Sequence, residues 1–183
     1  DLSIMKDKQT LFDVTTNILE RIKVVLEKEK PDMVVHCGDI EGSEYALRES
    51  ASCPVWMVAG NNDFFSELPR ELELQIGKYD FRPEFLTMFR LHTKILLSDW
   101  VTHGHNYYVS MGSEMIKQEA AARGMDVVLY GHTHRPVVDR SSNIIAVNPG
   151  SLSYPRQEGK QPSYAIMELL PDGDLDIRIC YIS

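Results

Sequence analysis

The sequence predicts an α/β fold whose strands deliver polar side chains to one site at their carboxyl ends. Three observations predict it. Four apolar runs end in glycine-bearing turns that carry Asp, Asn or His: Met33-Val34-Val35-His36-Cys37-Gly38-Asp39, Val55 to Asp63, Ile95 to His105, and Val127 to Pro136. A strand-helix-strand pattern leads into the first of these, and such a unit places its two strands parallel. The 183 residues fit one domain with a core of useful size. In α/β sheets, sites form where strand ends converge, so four such endings predict a single site.

The elements follow in order. Residues 2–6 (Leu-Ser-Ile-Met-Lys) read as a short first strand, with a turn at Asp7-Lys8-Gln9. From Thr10 to about Lys30, Leu11, Val14, Ile18, Ile22, Val25 and Leu26 recur at three- and four-residue spacing, which is an amphipathic helix stopped by Pro31. A strand to His36 follows, then a second helix over Glu44 to Ser50 and a strand from Val55. Residues 64–79 read as loop and strand, with Leu72, Leu74 and Ile76 alternating against Glu71, Glu73 and Gln75. Ser110 to Gly124 reads as a helix with Met111, Met115, Ile116 and Ala120 on one face. Strands at Ile144–Val147, Ser163–Leu169 and Leu175–Tyr181 close the chain, the last two joined by the hairpin signal Asp172-Gly173.

Composition bounds the function. With 19 basic against 27 acidic residues the formal charge is -8, which disfavours a polyanionic nucleic acid held by general electrostatics. A phosphorylated small molecule is compatible, because local metal charge overrides the global sign. Cys37, Cys53 and Cys180 show no Cys-x-x-Cys spacing and read as reduced thiols. No segment is long and apolar enough to span a bilayer and no basic-then-apolar leader is present, so no membrane partner and a cytoplasmic location are expected. The sequence opens at Asp1 rather than methionine, which leaves room for residues upstream.

The chemistry sits in the strand endings. Two histidines one residue apart in a turn, His132 and His134, can face two neighbouring metal ions, although His-x-His alone also describes surface or hydrogen-bonded core histidines. The Asp, Asn and His of the other three endings are ligands for hard or borderline dications, and they favour a metal site.

Gly38-Asp39, Gly60-Asn61-Asn62-Asp63, Thr102-His103-Gly104-His105, Gly131-His132-Thr133-His134 and Asn148-Pro149-Gly150-Ser151 occur in that order. The set resembles the calcineurin-like metallophosphoesterases and, within them, the small bacterial and archaeal YfcE-like phosphodiesterases, over nearly the whole chain. The resemblance implies a single-domain, four-layer α/β/β/α sandwich of two mixed sheets with flanking helices and a two-metal site at one end. It makes Asp39 the carboxylate shared by both ions, since two dications about 3.5–4 Å apart need a bridging anion. Asn61, His103 and His132 complete one metal site, and His134 joins the other. The first family motif, Asp-x-His, falls on Asp7-Lys8-Gln9, so Asp7 and Gln9 are the remaining expected ligands, Gln9 a weaker one than imidazole. Asp7 also reads, less favourably, as a solvated charge in Lys6-Asp7-Lys8.

Asn62 stands where many relatives outside this subfamily carry a catalytic histidine. Without it, leaving-group protonation falls to water, the metals or His105, which otherwise orients a ligand or packs. Arg156, beyond the Asn-Pro-Gly-Ser turn, is placed to donate to a phosphate or to lie on the surface. The stretch from about 80 to 100 is longer than in this subfamily and rich in Phe81, Phe85, Met88, Phe89 and Trp100. It is either a partner surface, suited to a homodimer, or a longer strand pair packed on the core.

The expected function is hydrolysis of a small phosphoester, a diester first, by a metal-bound hydroxide at a dinuclear site. Manganese is the first expectation for the two divalent ions, with zinc, iron, nickel or magnesium as alternatives. The competing reading is a protein-binding scaffold that keeps the fold without efficient chemistry, for which the retromer subunit of this fold is the precedent.

Overall fold

The computed structural model describes residues 7–12, 19–79, 94–170 and 172–182. Among them lie strands β1 (Asp7–Phe12), β2 (Met33–His36), β3 (Val55–Met57), β4 (Glu71–Tyr79), β5 (Lys94–Thr102), β6 (Val127–Tyr130), β7 (Val137–Asp139), β8 (Ile145–Asn148), β9 (Ser163–Leu169) and β10 (Leu175–Tyr181). Three α-helices accompany them, α1 (Leu19–Glu29), α2 (Glu44–Ser50) and α3 (Glu114–Ala122).

The strands form two mixed sheets, ordered β10-β9-β1-β2-β3 and β4-β5-β6-β8-β7. Buried Val35 and Met167 of the first sheet share one core with Val101, Leu129 and Val147 of the second. On the outer side of the first sheet, Ile22 and Val25 of α1 and Leu47 of α2 pack with Val34 and Ile166. On the outer side of the second, Ile116 and Ala120 of α3 pack with Trp100 and Val128. Helix, sheet, sheet, helix is the four-layer sandwich that the sequence led us to expect. Neighbouring residues of β2 alternate between the inner and outer core, as the period of two requires. Val34 faces the helices and Val35 the facing sheet.

Three expectations need correction. The expected strand at 2–6 lies outside the described residues, but Asp7-Lys8-Gln9 is not a turn: it begins β1, which also takes in Thr10 and Leu11 from the expected helix. The cause is non-local, because β1 sits between parallel β2 and antiparallel β9 and both edges of its backbone are paired. Met111 and Met115 do not share the buried face of α3. They are 90% and 54% exposed, and Met111 belongs to a 3-10 turn (Val109–Met111) ahead of the helix. Of the apolar stretch at about 80–100, residues 80–93 lie outside the described residues. Its end is core strand, paired from Tyr79↔Lys94 to Glu71↔Thr102, with Trp100 fully buried.

β2, β3, β5, β6 and β8 all point their carboxyl ends the same way within their sheets, through the parallel pairs β2·β3, β5·β6 and β6·β8. Those ends carry Asp39, Asn61, His103, His132 with His134, and the Asn148 turn.

Candidate metal centre

The first sheet contributes Asp39 and Asn61. Asp39 follows β2 in a left-handed conformation (φ 58°), which Asp tolerates better than most residues. The conformation is held by Asp63, whose Oδ2 accepts from the backbone N–H of Asp39 (2.8 Å), Ile40 (3.3 Å) and Gly60 (2.8 Å), and whose Oδ1 accepts from Glu41 (2.7 Å). The Asp39 carboxylate is 3% exposed and accepts from Asn62, through its backbone N–H (2.9 Å) and its amide Nδ2 (3.0 Å). Gly60 permits this approach, since a Cβ there would stand 1.9 Å from Asp39 Oδ1. Burial pushes the Asp39 carboxyl up, but the contacts with His103, the Asn62 N–H and the more distant His134 outweigh it and hold the group below its ordinary value.

The second sheet contributes the histidines. His103, fully buried, lies with Nδ1 2.7 Å from the Cys37 carbonyl. A carbonyl only accepts, so Nδ1 carries the proton and Nε2 is the basic nitrogen. That Nε2 lies 3.1 Å from Asn61 Oδ1 and 3.4 Å from Asp39 Oδ2. His132 brings Nδ1 within 3.0 Å of the same Asn61 oxygen. His134 donates from Nδ1 to the Tyr154 carbonyl at 2.9 Å, which again leaves Nε2 as the basic nitrogen. Both His132 (φ 67°) and His134 (φ 56°) are left-handed. Their turn is held by Asn148, whose Nδ2 donates to the Gly131 carbonyl (2.8 Å) and Thr133 Oγ1 (3.1 Å).

The arrangement tests whether these residues suit a cation. His103 Nε2 lies within reach of both the Asn61 amide oxygen and the Asp39 carboxylate, and all three are ligand atoms for a divalent cation once the imidazole gives up its proton. A divalent cation satisfies all three together, and the N/O set matches manganese, iron or zinc chemistry. Burial lowers the pKa of His132 and His134, which keeps both imidazoles neutral and able to ligate. Among the described residues, no three or more His, Cys, Asp or Glu side chains come together closely enough to hold a metal ion by themselves. The cluster depends on the Asn61 amide and on whatever β1 supplies.

Asp7 and Gln9 are not what β1 supplies. In the parallel register Gln9 lies opposite Met33 and Phe12 opposite His36, while Asp7 lies opposite Leu169 of β9. Gln9 is thus level with the start of β2, about 10 Å short of the end where the site lies. A residue level with the site must follow Phe12, and the next in the sequence is Asp13, outside the described residues.

The other expected residues surround the cluster. Asn62 serves as the donor to Asp39 described above. The His105 ring lies 5.4 Å from that of His103 and 6.2 Å from that of His132, and its buried Nδ1 has no hydrogen-bond partner among the described residues. Arg156 donates its backbone N–H to the His134 carbonyl at 3.0 Å, and its charge opposes protonation of His132 and His134. Sequence reasoning missed the holding roles of Asp63 and Asn148, and also Arg70, whose guanidinium donates to the Gly60 carbonyl at 2.7 Å.

His36, at the end of β2, is fully buried and accepts from the Gly38 N–H at Nδ1 (3.1 Å). Burial lowers its pKa to about 4 from 6.5. The folded state therefore refuses a proton that the unfolded chain accepts, and stability falls as pH drops from 6.5 towards 4. The full loss is about 3 kcal/mol. Urea unfolding at pH 7 and pH 4.5 checks this. The difference between the two pH values should shrink in His36→Gln, and an unchanged difference would show that His36 is not its source.

Comparison with known proteins is consistent with this site. The profile described as the calcineurin-like phosphoesterase superfamily domain matches residues 14–171. The probable metallophosphoesterase YsnB of Bacillus subtilis is 33% identical over 169 residues, covering 92% of this chain and 84% of its own. Phosphodiesterase MJ0936 of Methanocaldococcus jannaschii is 28% identical over 152 residues, 81% of this chain and 82% of its own. Among solved structures, Vacuolar Protein Sorting 29 from Cryptosporidium parvum shares the fold, with a TM-score of 0.64, 18% identity and coverage of 98% of this chain and 99% of its own.

Proposed function

The chain belongs to the calcineurin-like phosphoesterase superfamily, and from that premise we propose that it is a metal-dependent phosphodiesterase acting on a small phosphoester at a dinuclear site. The observation that carries the reading is the grouping of His103 Nε2, Asn61 Oδ1 and Asp39 Oδ2. Asp39, Asn61, His103 and His132 would hold one ion, and His134 would join Asp39 at the other. By its place directly after β1, Asp13 takes the part expected of Asp7, and Asp13-Val14-Thr15 stands for the first motif in place of Asp7-Lys8-Gln9.

Bound divalent ions, manganese first, supply charge neutralisation at the phosphate and a water acidified towards neutrality. The chain's own residues orient and exclude. Asn62 fixes the rotation of the Asp39 carboxylate with two hydrogen bonds, and Asp63 fixes the loop beneath it. Backbone carbonyls fix the tautomers of His103 and His134, so that each presents Nε2. His105 stands beside the cluster, where burial and the neighbouring His103 and His132 lower its pKa and make it a weak proton source for the departing oxygen. No charged acid replaces it, which favours substrates with good leaving groups.

Hydrolysis of a chromogenic phosphodiester by chelated protein, titrated with manganese, tests the reading. Saturable, metal-dependent turnover is expected. Folded protein with no turnover at any manganese level would instead favour a scaffold built on this fold.

A further inference from the structure

Beside the His132-Thr133-His134 turn lies a cavity of about 580 Å3, lined in part by Thr133, Arg135 and Arg156. Its volume is that of an ordinary small-molecule site. Thr133 separates the two site histidines in the sequence, so the cavity and the proposed metal centre share one turn. Arg156 joins them a second time, through its backbone bond to the His134 carbonyl.

The charge in this cavity runs against that of the chain. The protein carries 27 acidic residues against 19 basic ones, yet neither Arg135 nor Arg156 is paired with a carboxylate among the described residues. The acid in the lining, Asp139, is already satisfied. It accepts from Lys117 Nζ at 3.0 Å, from the Ser141 N–H at 2.8 Å and from Ser113 Oγ. Arg135 and Arg156 thus line one solvent-open space with no carboxylate paired to either, next to a centre that would hold a phosphate. Val109, Met111 and Val137 give the same cavity an apolar wall. Fork-shaped donors beside an apolar wall suit an anion carried on a short carbon frame.

We propose that this cavity receives the non-reacting end of the substrate, and that this end carries a second anionic group, a phosphate or a carboxylate, bound by Arg135 and Arg156. The inference rests on the phosphoesterase reading and narrows its substrate class to phosphodiesters in which one alcohol bears a further anion. A simple diester reacts at the same centre without using the cavity.

The test is calorimetric binding to the manganese-loaded protein, which does not require turnover. The probes are methyl phosphate, a series of straight-chain diol bisphosphates of increasing spacer length, and the matching ω-carboxyalkyl phosphates. The best-fitting two-anion probe should bind about tenfold or more tightly than methyl phosphate. Whichever series binds tighter identifies the second anion. In Arg135→Gln and in Arg156→Gln that advantage should fall below threefold, with methyl phosphate as the reference within each variant. Equal binding of one- and two-anion probes by the wild type, or an advantage that survives in both variants, overturns the inference. Loss of the hydrolysis reading looks different: the two-anion preference persists while the chromogenic diester is never turned over.

Discussion

Asp39→Asn lowers kcat/KM for a chromogenic phosphodiester at saturating manganese by at least about 10³-fold, equivalent to roughly 4 kcal/mol of transition-state stabilisation. Asparagine is the informative replacement. It tolerates the left-handed backbone at this position, whereas alanine would add a conformational cost of about 1 kcal/mol. An amide keeps one oxygen as acceptor for one of the two Asn62 donors, and the Asp63 contacts that hold the loop are untouched, so the loss reports chiefly the charge. The group belongs to no apolar core, and a circular dichroism melt should stay close to that of the wild type. His132→Ala reaches the same loss of activity through a different element, because it removes a nitrogen 3.0 Å from Asn61 Oδ1. Turnover within tenfold of wild type in both variants would remove the metal centre from the reading.

Asp63→Ala unfolds more easily than any variant of the metal-facing residues, by about 4 kcal/mol in urea denaturation. One carboxylate, 4% exposed, accepts four backbone N–H groups, from Asp39, Ile40, Glu41 and Gly60. Removing it strands several buried donors at once, and each unsatisfied donor costs about 1–3 kcal/mol before relaxation or entering water compensates. Asp63→Asn restores part of the loss, since one oxygen remains. A change below about 1 kcal/mol in Asp63→Ala would mean that the loop after β2 holds its shape without this carboxylate.

Much of the candidate site was legible because its residues follow apolar strands, and a short β-branched run stopped by glycine is a local pattern. Asp39, Asn61, His103, His132 and His134 come from four such endings, and the sheets bring them together. The first strand was not legible in the same way. Lys6-Asp7-Lys8-Gln9 looks like a polar turn, and only pairing with β2 and β9 on both sides makes it strand. The signal was nonetheless present: Thr10-Leu11-Phe12-Asp13 repeats the apolar-run-then-carboxylate form of the β2 ending. Asp63 was visible as the last residue of Gly-Asn-Asn-Asp, but its partners lie 22 to 24 residues earlier on another loop, and no spacing rule links them. The same holds for Arg135. Its neighbour across the cavity, Arg156, is brought there by a loop folding back on His134, and nothing in the chain marks the pair.

The bond from His103 Nδ1–H to the Cys37 carbonyl joins the end of β5 to the end of β2, and so ties one sheet to the other. Asp39 and Asn61 stand on one side of that seam, and the three histidines stand on the other. An ion among them belongs to neither sheet alone, and no partly assembled chain with separated sheets can bind it fully. Its binding free energy is therefore spent on docking the two halves. At a hundredfold above its dissociation constant, such an ion adds about 2.7 kcal/mol to that docking. If the proposed centre binds its ions, the metal supply of the cell would act on the lifetime of the folded protein as well as on its chemistry, with the seam as the place where a starved molecule comes apart first.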